Sequence, residues 1–174
     1  MGTFARGAGA YDDQSHRMFG APQWSAMSTS LPSDPLAAEV RGKILYIEDV
    51  DVNFAVVEAG LAGYADVQLI RATTGLEGVR LVRSEHPDFV LLDMHLPDIS
   101  GLAVVRLLNE EIAARRLRVT ILTGDEFTMD VIKAMSLGAF EYWVKPVDIE
   151  VLKAGVRRAL TGKRPDPART LTPH

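Results

Sequence analysis

Short apolar runs alternate with amphipathic segments between residues 43 and 161 of the chain. Three of the apolar runs are almost continuous, as expected for strands covered on both faces of a parallel sheet. Polar residues interrupt the second run, which indicates an edge strand. The five runs of strand length are Lys43–Ile47, Val67–Arg71, Phe89–Asp93, Val119–Thr123 and Phe140–Lys145. Helical patterns fill the gaps at about 51–62, 74–85, 100–116, 128–137 and 148–161.

Local signals support these helices. Thr74 followed by Glu77 forms a capping box, and Ser100 and Asp148 suit the N-cap position of the segments that they precede. Glycines stand where helices should end, at Gly63, Gly138 and Gly162. Repeated strand–helix units predict an α/β fold: a doubly wound, five-stranded parallel sheet of order 2-1-3-4-5 with helices on both faces.

Composition divides the chain into three parts and limits the kinds of site, partner and cellular location that we expect. Residues 1–41 show no sustained period and predict a mostly disordered N-terminal extension; residues 42–162 form the domain, and residues 163–174 a flexible Pro-rich tail. The chain has no cysteine, which excludes disulfides and zinc–thiolate sites. A net charge of −4 without a Lys/Arg block argues against direct DNA binding. Because neither a membrane span nor a signal peptide is evident, we expect a cytoplasmic protein with no membrane contact.

Polar residues follow the predicted strands at the points where the strands end. Glu48 and Asp49 follow the first strand, Asp93 ends the third, Thr123 ends the fourth, and Lys145 ends the fifth. In an open parallel sheet, ligands bind outside the carboxyl ends of the strands, where the strand order reverses. We therefore expect three carboxylates, a hydroxyl and an ammonium group to converge at one edge.

Each of these residues also has an ordinary structural interpretation. Glu48 and Asp49 suit the N-terminus of a helix, Asp93 could cap a strand end, and Thr123 and Lys145 are common at strand ends. The occurrence of all five residues at the same edge of the sheet favours a functional site over these structural interpretations. Clustered carboxylates repel unless a cation joins them, and oxygen ligands of this kind suit Mg²⁺. A carboxylate beside Mg²⁺ can attack phosphorus, with Lys145 and Thr123 as donors to the phosphoryl oxygens.

The motifs around these residues resemble those of the receiver domain of bacterial response regulators, which has a flavodoxin-like fold. The resemblance extends from about Gly42 to Leu160. It lies in "ILYIEDVDVN" for the acidic pair, "DFVLLDMHLPDISG" for the phosphoacceptor, "VTILTG" for the hydroxyl and "EYWVKPV" for the lysine. This resemblance implies a phosphorylation-activated regulator that is not an enzyme beyond its own phosphorylation and dephosphorylation.

The resemblance also assigns roles to individual residues. Asp93 would be the phosphoacceptor, and Thr123 and Lys145 would contact the phosphoryl group. Mg²⁺ would be held by Asp49, by Asp93 and by the backbone carbonyl of His95, with Glu48 contacting it through water. Glu48 stands where the family more often has aspartate. The Lys145–Pro146 bond is expected to be cis.

A switch is implied as well. Thr123 would move to bond the phosphoryl group, and Tyr142 would then turn inward, which changes the surface of the fourth helix, fifth strand and fifth helix. Trp143 points to the other face of the strand. The side chain of His95, two residues after the acceptor, either affects the lifetime of the aspartyl phosphate or is an exposed loop residue. An unchanged dephosphorylation rate in His95→Ala would favour the second interpretation.

Because only about a dozen residues follow the domain, we expect output by protein contact, as in stand-alone response regulators. The partners would be a histidine kinase or histidine phosphotransfer protein and an unknown downstream protein, and a homodimer is compatible. The alternatives are a docking scaffold without phosphoryl transfer, a haloacid-dehalogenase-type phosphotransferase and a flavodoxin-like cofactor binder. A dehalogenase-type site needs a second Asp where His95 stands, and the acidic pair would repel a cofactor phosphate.

Overall fold

The computed structural model describes residues 39–124 and 128–162. The predictions for the N-terminal extension, apart from its last three residues, and for the C-terminal tail lie outside these ranges. The strands are β1 (Arg41–Ile47), β2 (Asp66–Ala72), β3 (Phe89–Asp93), β4 (Arg118–Thr123) and β5 (Glu141–Val144). The helices are α1 (Asp51–Leu61), α2 (Gly75–Glu85), α3 (Gly101–Leu107), α4 (Asn109–Arg115), α5 (Met129–Ser136) and α6 (Ile149–Thr161).

The five strands form one parallel sheet in the order β2-β1-β3-β4-β5, which confirms the predicted fold and the edge position of β2. The central strand β3 is buried along its whole length. Its register places Asp93 opposite Leu122 of β4. The last residue of β3 therefore lies between the carboxyl ends of β1 and β4.

Alternating side chains of the sheet form two apolar layers, because successive residues of a strand point to opposite faces. One layer packs against α2, α3 and α5 and includes Leu45, Ile47, Val90 and Leu92. The other packs against α1 and α6 and includes Ile44, Tyr46, Phe89 and Leu91. Burial on both faces explains why the central strands are apolar almost without interruption. None of the helices in the described ranges has the length and apolar character needed to cross a membrane.

The predicted caps are present with one displaced contact. The side chains of Thr74, Ser100 and Asp148 accept hydrogen bonds from backbone N–H groups in the first turns of α2, α3 and α6. The carboxylate of Glu77, however, accepts from the backbone N–H of Thr73 at 2.9 Å. The reciprocal half of the capping box is thus displaced by one residue.

The single helix predicted at about 100–116 is instead two helices, α3 and α4. The interruption lies at Leu108, whose φ of −96° and ψ of 10° depart from helical values. Leu108 is completely buried. Neither proline nor glycine marks the position in the sequence, so the periodic pattern continues across it.

Candidate functional site

The carboxyl ends of the strands bring the predicted acidic residues together. Glu48 and Asp49 follow β1 directly, and Asp93 is the last residue of β3. One carboxylate oxygen from each of the three lies within 4.8 Å of the other two. Glu48 and Asp93 are buried, whereas Asp49 is exposed. The three form a cluster because β1 and β3 are neighbouring parallel strands that end at the same edge.

Lys145 joins this cluster from the end of β5. Its Nζ atom lies 2.7 Å from Glu48 Oε2 and 2.8 Å from Asp93 Oδ2. Its backbone N–H donates to the carbonyl oxygen of Thr123 at 2.7 Å. The Lys145–Pro146 bond is cis, as the family resemblance implied. One ammonium group is therefore shared between two buried carboxylates.

The Glu48 carboxylate is fully buried, yet its acceptor sites are well supplied with donors. Besides Lys145, the Tyr46 hydroxyl donates to Oε2 at 2.8 Å, and Asn53 Nδ2 and the Val50 backbone N–H donate to Oε1 at 3.2 Å. Burial acts to raise the pKa of Glu48, but the hydrogen bonds from Lys145, Tyr46 and Asn53 outweigh it and hold the pKa below its ordinary value. Glu48 is therefore ionised at neutral pH.

The loop after β3 holds the third carboxylate from its own backbone. The N–H of His95 donates to Asp93 Oδ1 at 3.2 Å, while the His95 side chain is exposed. Further along, the N–H of Gly101 donates to the Met94 carbonyl oxygen at 3.0 Å. A Cβ atom at position 101 would lie 2.6 Å from the Asp93 carbonyl oxygen, so α3 starts in direct contact with the end of β3. Only glycine allows this approach.

Asp98 fixes the same loop to α2. Its two carboxylate oxygens accept hydrogen bonds from the backbone N–H groups of Gly75 at 2.7 Å and Leu76 at 2.9 Å. Desolvation acts to raise the pKa of Asp98, but these hydrogen bonds hold it below its ordinary value. The loop that carries His95 is thus anchored to a helix N-terminus, where a negative charge is favoured.

Arg71, near the end of β2, fixes the loop that carries the acidic pair. Its guanidinium donates to the carbonyl oxygens of Glu48 at 3.2 Å and Asp49 at 3.1 Å, and to Asp51 Oδ1 at 2.7 Å. It also lies over the ring of Phe54, 4.8 Å from the centroid. A planar group with several donors in fixed directions suits such a multiple contact.

Thr123 and Tyr142 lie where the sequence placed them. Thr123 is buried at the end of β4, next to the strand that carries Asp93. Tyr142 is half-buried on β5 and packs against the layer under α2, α3 and α5. Trp143 belongs to the opposite layer, as the strand alternation predicted.

Sequence reasoning did not assign Tyr46, Asn53, Arg71 or Asp98 to this site. Tyr46 had a usable signal, because residues two apart on a strand share a face and Glu48 follows at that spacing. The contacts of Arg71 and Asp98 connect segments 22 and 23 residues apart. Nothing in the sequence pattern predicts which backbone groups such side chains reach.

The donor set fits a hard divalent cation. Within the described part of the chain, Lys145 is the one cationic side chain paired with any of the three clustered carboxylates. The cluster therefore keeps an excess of negative charge, and its ligand atoms are all oxygens, which Mg²⁺ prefers. The residues present match that ion in both charge and ligand type.

A profile of the response regulator receiver domain matches residues 44–157, a range that contains the whole cluster and all the strands but the start of β1. The chain belongs to the response regulator receiver domain family. Receiver domains act in two-component signalling that is activated by phosphorylation. The fold expected from the family resemblance is thereby confirmed along with the family itself.

Curated relatives of this receiver domain differ in length. Protein PilH of Pseudomonas aeruginosa is 31% identical over 120 residues, which cover 69% of this chain and 98% of PilH. Polar-differentiation response regulator DivK of Brucella ovis is 31% identical over 110 residues, covering 61% of this chain and 85% of DivK. Transcriptional regulatory protein AfsQ1 of Streptomyces coelicolor is 33% identical over 117 residues, covering 67% of this chain but only 50% of AfsQ1. The chain thus spans about half of AfsQ1 and nearly all of PilH.

Solved structures show the same fold. The receiver domain of a signal transduction histidine kinase from Syntrophus aciditrophicus has a TM-score of 0.63 and 28% identity, covering 75% of this chain and 98% of that one. The receiver domain of sensor histidine kinase PA1611 from Pseudomonas aeruginosa has a TM-score of 0.62 and 26% identity, covering 70% and 98%. The PA1611 structure has a magnesium ion coordinated in its active-site cleft.

Proposed function

We propose that this receiver domain accepts a phosphoryl group on Asp93 in a Mg²⁺-dependent reaction and signals by protein contact. The observation that supports the proposal is the environment of the Asp93 carboxylate. It is buried at the end of the central strand, 2.8 Å from Lys145 and within the acidic cluster. The donor would be a phosphohistidine on a histidine kinase or a phosphotransfer protein. The domain acts only on its own aspartate.

The metal would be held by oxygen ligands at the edge of the sheet. Asp49 and Asp93 would supply carboxylates, the His95 carbonyl a third ligand, and Glu48 lies in the same cluster. Bound Mg²⁺ would neutralise charge on the phosphoryl oxygens during transfer. A magnesium ion in the cleft of the PA1611 receiver domain supports this assignment.

The chemistry is a displacement at phosphorus. One Asp93 carboxylate oxygen attacks, a P–O bond forms, and the P–N bond to the imidazole of the donor histidine breaks, with its electron pair returning to that nitrogen. The Lys145 ammonium, already beside Asp93, stabilises the negative phosphoryl oxygens. The Thr123 hydroxyl, at the end of the neighbouring strand, would donate to another of them. Hydrolysis of the acyl phosphate resets the switch.

Phosphorylation can be tested with small donors. With Mg²⁺ and acetyl phosphate, the wild type should gain one phosphoryl group by intact mass, and Asp93→Asn should gain none. Asp88→Asn is the matched control, because Asp88 directly precedes the opposite end of the same strand and its replacement should leave the adduct unchanged. Without an adduct on the wild type, phosphoryl transfer would be excluded and a docking scaffold favoured.

The output surface would comprise α5, β5 and α6. These are the predicted fourth helix, fifth strand and fifth helix, because the predicted third helix is divided into α3 and α4. Tyr142 lies on this side, and Met129 and Ile132 are large apolar residues of α5 that are 64% and 45% exposed. Beryllofluoride with Mg²⁺ should change amide hydrogen exchange in α5 and β5 of the wild type but not of Thr123→Ala. An identical change in Thr123→Ala would remove Thr123 from the switch.

A further inference from the structure

The acceptor sites of the Glu48 carboxylate are all occupied by donors from the protein. Lys145 Nζ and the Tyr46 hydroxyl bond Oε2 at 2.7 and 2.8 Å, and Val50 N–H and Asn53 Nδ2 both bond Oε1 at 3.2 Å. A carboxylate offers about four lone-pair sites in total. No acceptor site is left in this arrangement for a metal-bound water, the role that the family resemblance implies for Glu48.

Among the four donors to Glu48, the Tyr46 hydroxyl is the one from a fully buried side chain. Tyr46 and Glu48 lie two residues apart and so point to the same face of the chain, and both are fully buried. The Tyr46 ring is held by stacking against Phe54, with centroids 5.9 Å apart. A buried phenol is costly without a hydrogen-bond partner, and Glu48 is the partner that this hydroxyl has among the described residues. Burial and the adjacent carboxylate raise the pKa of Tyr46 far above its ordinary value, so the group remains a donor.

Glu48 instead has a clear contact with the catalytic lysine. Its Oε2 atom lies 2.7 Å from Lys145 Nζ, the same ammonium that reaches Asp93. The Tyr46 hydroxyl shares that oxygen, so it fixes the orientation of the carboxylate toward Lys145. We propose that Tyr46 is a positioning residue whose hydroxyl holds the Glu48 carboxylate against Lys145. The metal would then be bound by Asp49, Asp93 and the His95 carbonyl, without Glu48. This inference rests on the metal site of the proposed function.

The inference predicts the sign of a change in metal affinity. Tyr46→Phe keeps the ring and its stacking but removes one donor from Glu48, which makes that carboxylate a better acceptor and leaves more negative potential at the cluster. Mg²⁺ should therefore bind about fivefold more tightly, the equivalent of one net hydrogen bond. Calorimetric titration with Mg²⁺ alone measures this without any phosphoryl donor. If Tyr46 instead oriented Glu48 for the metal, the same variant would bind Mg²⁺ more weakly.

A matched control separates this effect from the loss of a buried hydroxyl. Tyr64 is also buried in the layer under α1 and α6, and its hydroxyl has no hydrogen-bond partner among the described residues. Tyr64→Phe should leave the Mg²⁺ affinity unchanged. In a Glu48→Gln background, Tyr46→Phe should have no further effect, because the hydroxyl acts through that carboxylate.

Asn53→Ala provides a second route to the same answer if Tyr46→Phe does not fold. It removes a donor from the other Glu48 oxygen at a half-exposed position and should also tighten Mg²⁺ binding. Unchanged or weaker binding in the folded variants, or no Mg²⁺ binding by the wild type, would overturn the inference. Mg²⁺ binding without an Asp93 adduct would overturn the proposed function alone, since the calorimetric result would remain.

Discussion

Charged side chains are paired differently at the two ends of the strands, called here the amino edge and the carboxyl edge of the sheet. At the amino edge, charged side chains pair one to one: the partly exposed Lys43 with Glu85 at 3.0 Å, and the exposed Arg83 with the buried Glu111 at 2.8 Å. At the carboxyl edge, two buried carboxylates share Lys145. A cavity of about 690 Å³ lies at the amino edge, lined by residues that include Asp88 and Glu111, but no cluster of metal-ligating groups occurs there within the described ranges.

This difference in charge pairing shows that stability and metal binding place opposite requirements on the carboxyl edge. The partly exposed Lys43–Glu85 pair at the amino edge contributes little and could be lost without a large penalty. At the carboxyl edge, the removal of one partner leaves buried charge uncompensated, which is far more costly. An excess of negative charge is unfavourable for the fold, yet it is the property that would attract a divalent cation.

The largest effect expected from this comparison concerns the two lysines. Lys145→Ala should reduce the free energy of unfolding by about 3 kcal/mol without Mg²⁺, because Glu48 and Asp93 are buried and lose their shared cation. Lys43→Ala, its counterpart at the amino edge, should cost less than about 1 kcal/mol. Urea unfolding in the presence of a chelator measures both values, and equal losses would contradict the distinction between the edges.

A smaller, pH-dependent effect is expected at Asp98. Its pKa is held below the ordinary value in the folded state, so its ionised form stabilises the fold. At neutral pH, Asp98→Ala should lower the free energy of unfolding by about 1 kcal/mol, as for the loss of a helix cap. The stabilisation is complete above the ordinary pKa near 4 and is lost as the pH falls through the lowered folded value.

Urea unfolding of the wild type and Asp98→Ala across this pH range tests the effect. The difference between the two proteins should shrink on acidification. A difference that stayed constant as the pH fell below the ordinary carboxyl pKa would assign the effect to something other than the carboxylate charge.

The smallest effect is a gain in stability. The Asp49 carboxylate is exposed and has no cationic partner among the described residues, although it lies beside Glu48 and Asp93. Asp49→Asn should therefore raise the free energy of unfolding by about 0.5 kcal/mol without metal, since like-charge repulsion is relieved. The same variant should lose the rise in melting temperature that Mg²⁺ gives the wild type. Destabilisation of the metal-free variant would mean that Asp49 has a structural role.

The fold was predictable because burial on two faces leaves a simple sequence pattern. The apolar runs marked all five strands, and the polar residues at the ends of the first, third, fourth and fifth runs marked the site. Glu48, Asp49, Asp93 and Lys145 were grouped correctly, because parallel strands bring their carboxyl ends to one edge. Their catalytic and metal-binding roles stay proposals until the adduct and the metal are measured.

The remaining features depend on contacts that no periodic pattern records. The interruption at Leu108 involves a residue that fits a helix well, so propensity cannot reveal it. Apart from the contact of Arg71 with Asp51, the hydrogen bonds of Arg71 and Asp98 end on backbone groups, which every residue carries. Saturation of Glu48 depends on the positions of four donors, of which only Tyr46 was accessible through strand alternation.

The close contact of Gly101 with the end of β3 has a consequence for mutational scanning. Because a Cβ atom there would lie 2.6 Å from the Asp93 carbonyl oxygen, even alanine must displace the acceptor strand or the start of α3. A scan scored by signalling output would therefore rank position 101 beside the acidic residues, although glycine contributes no functional group. A parallel scan scored by abundance would separate geometric intolerance at position 101 from chemical necessity at Asp93.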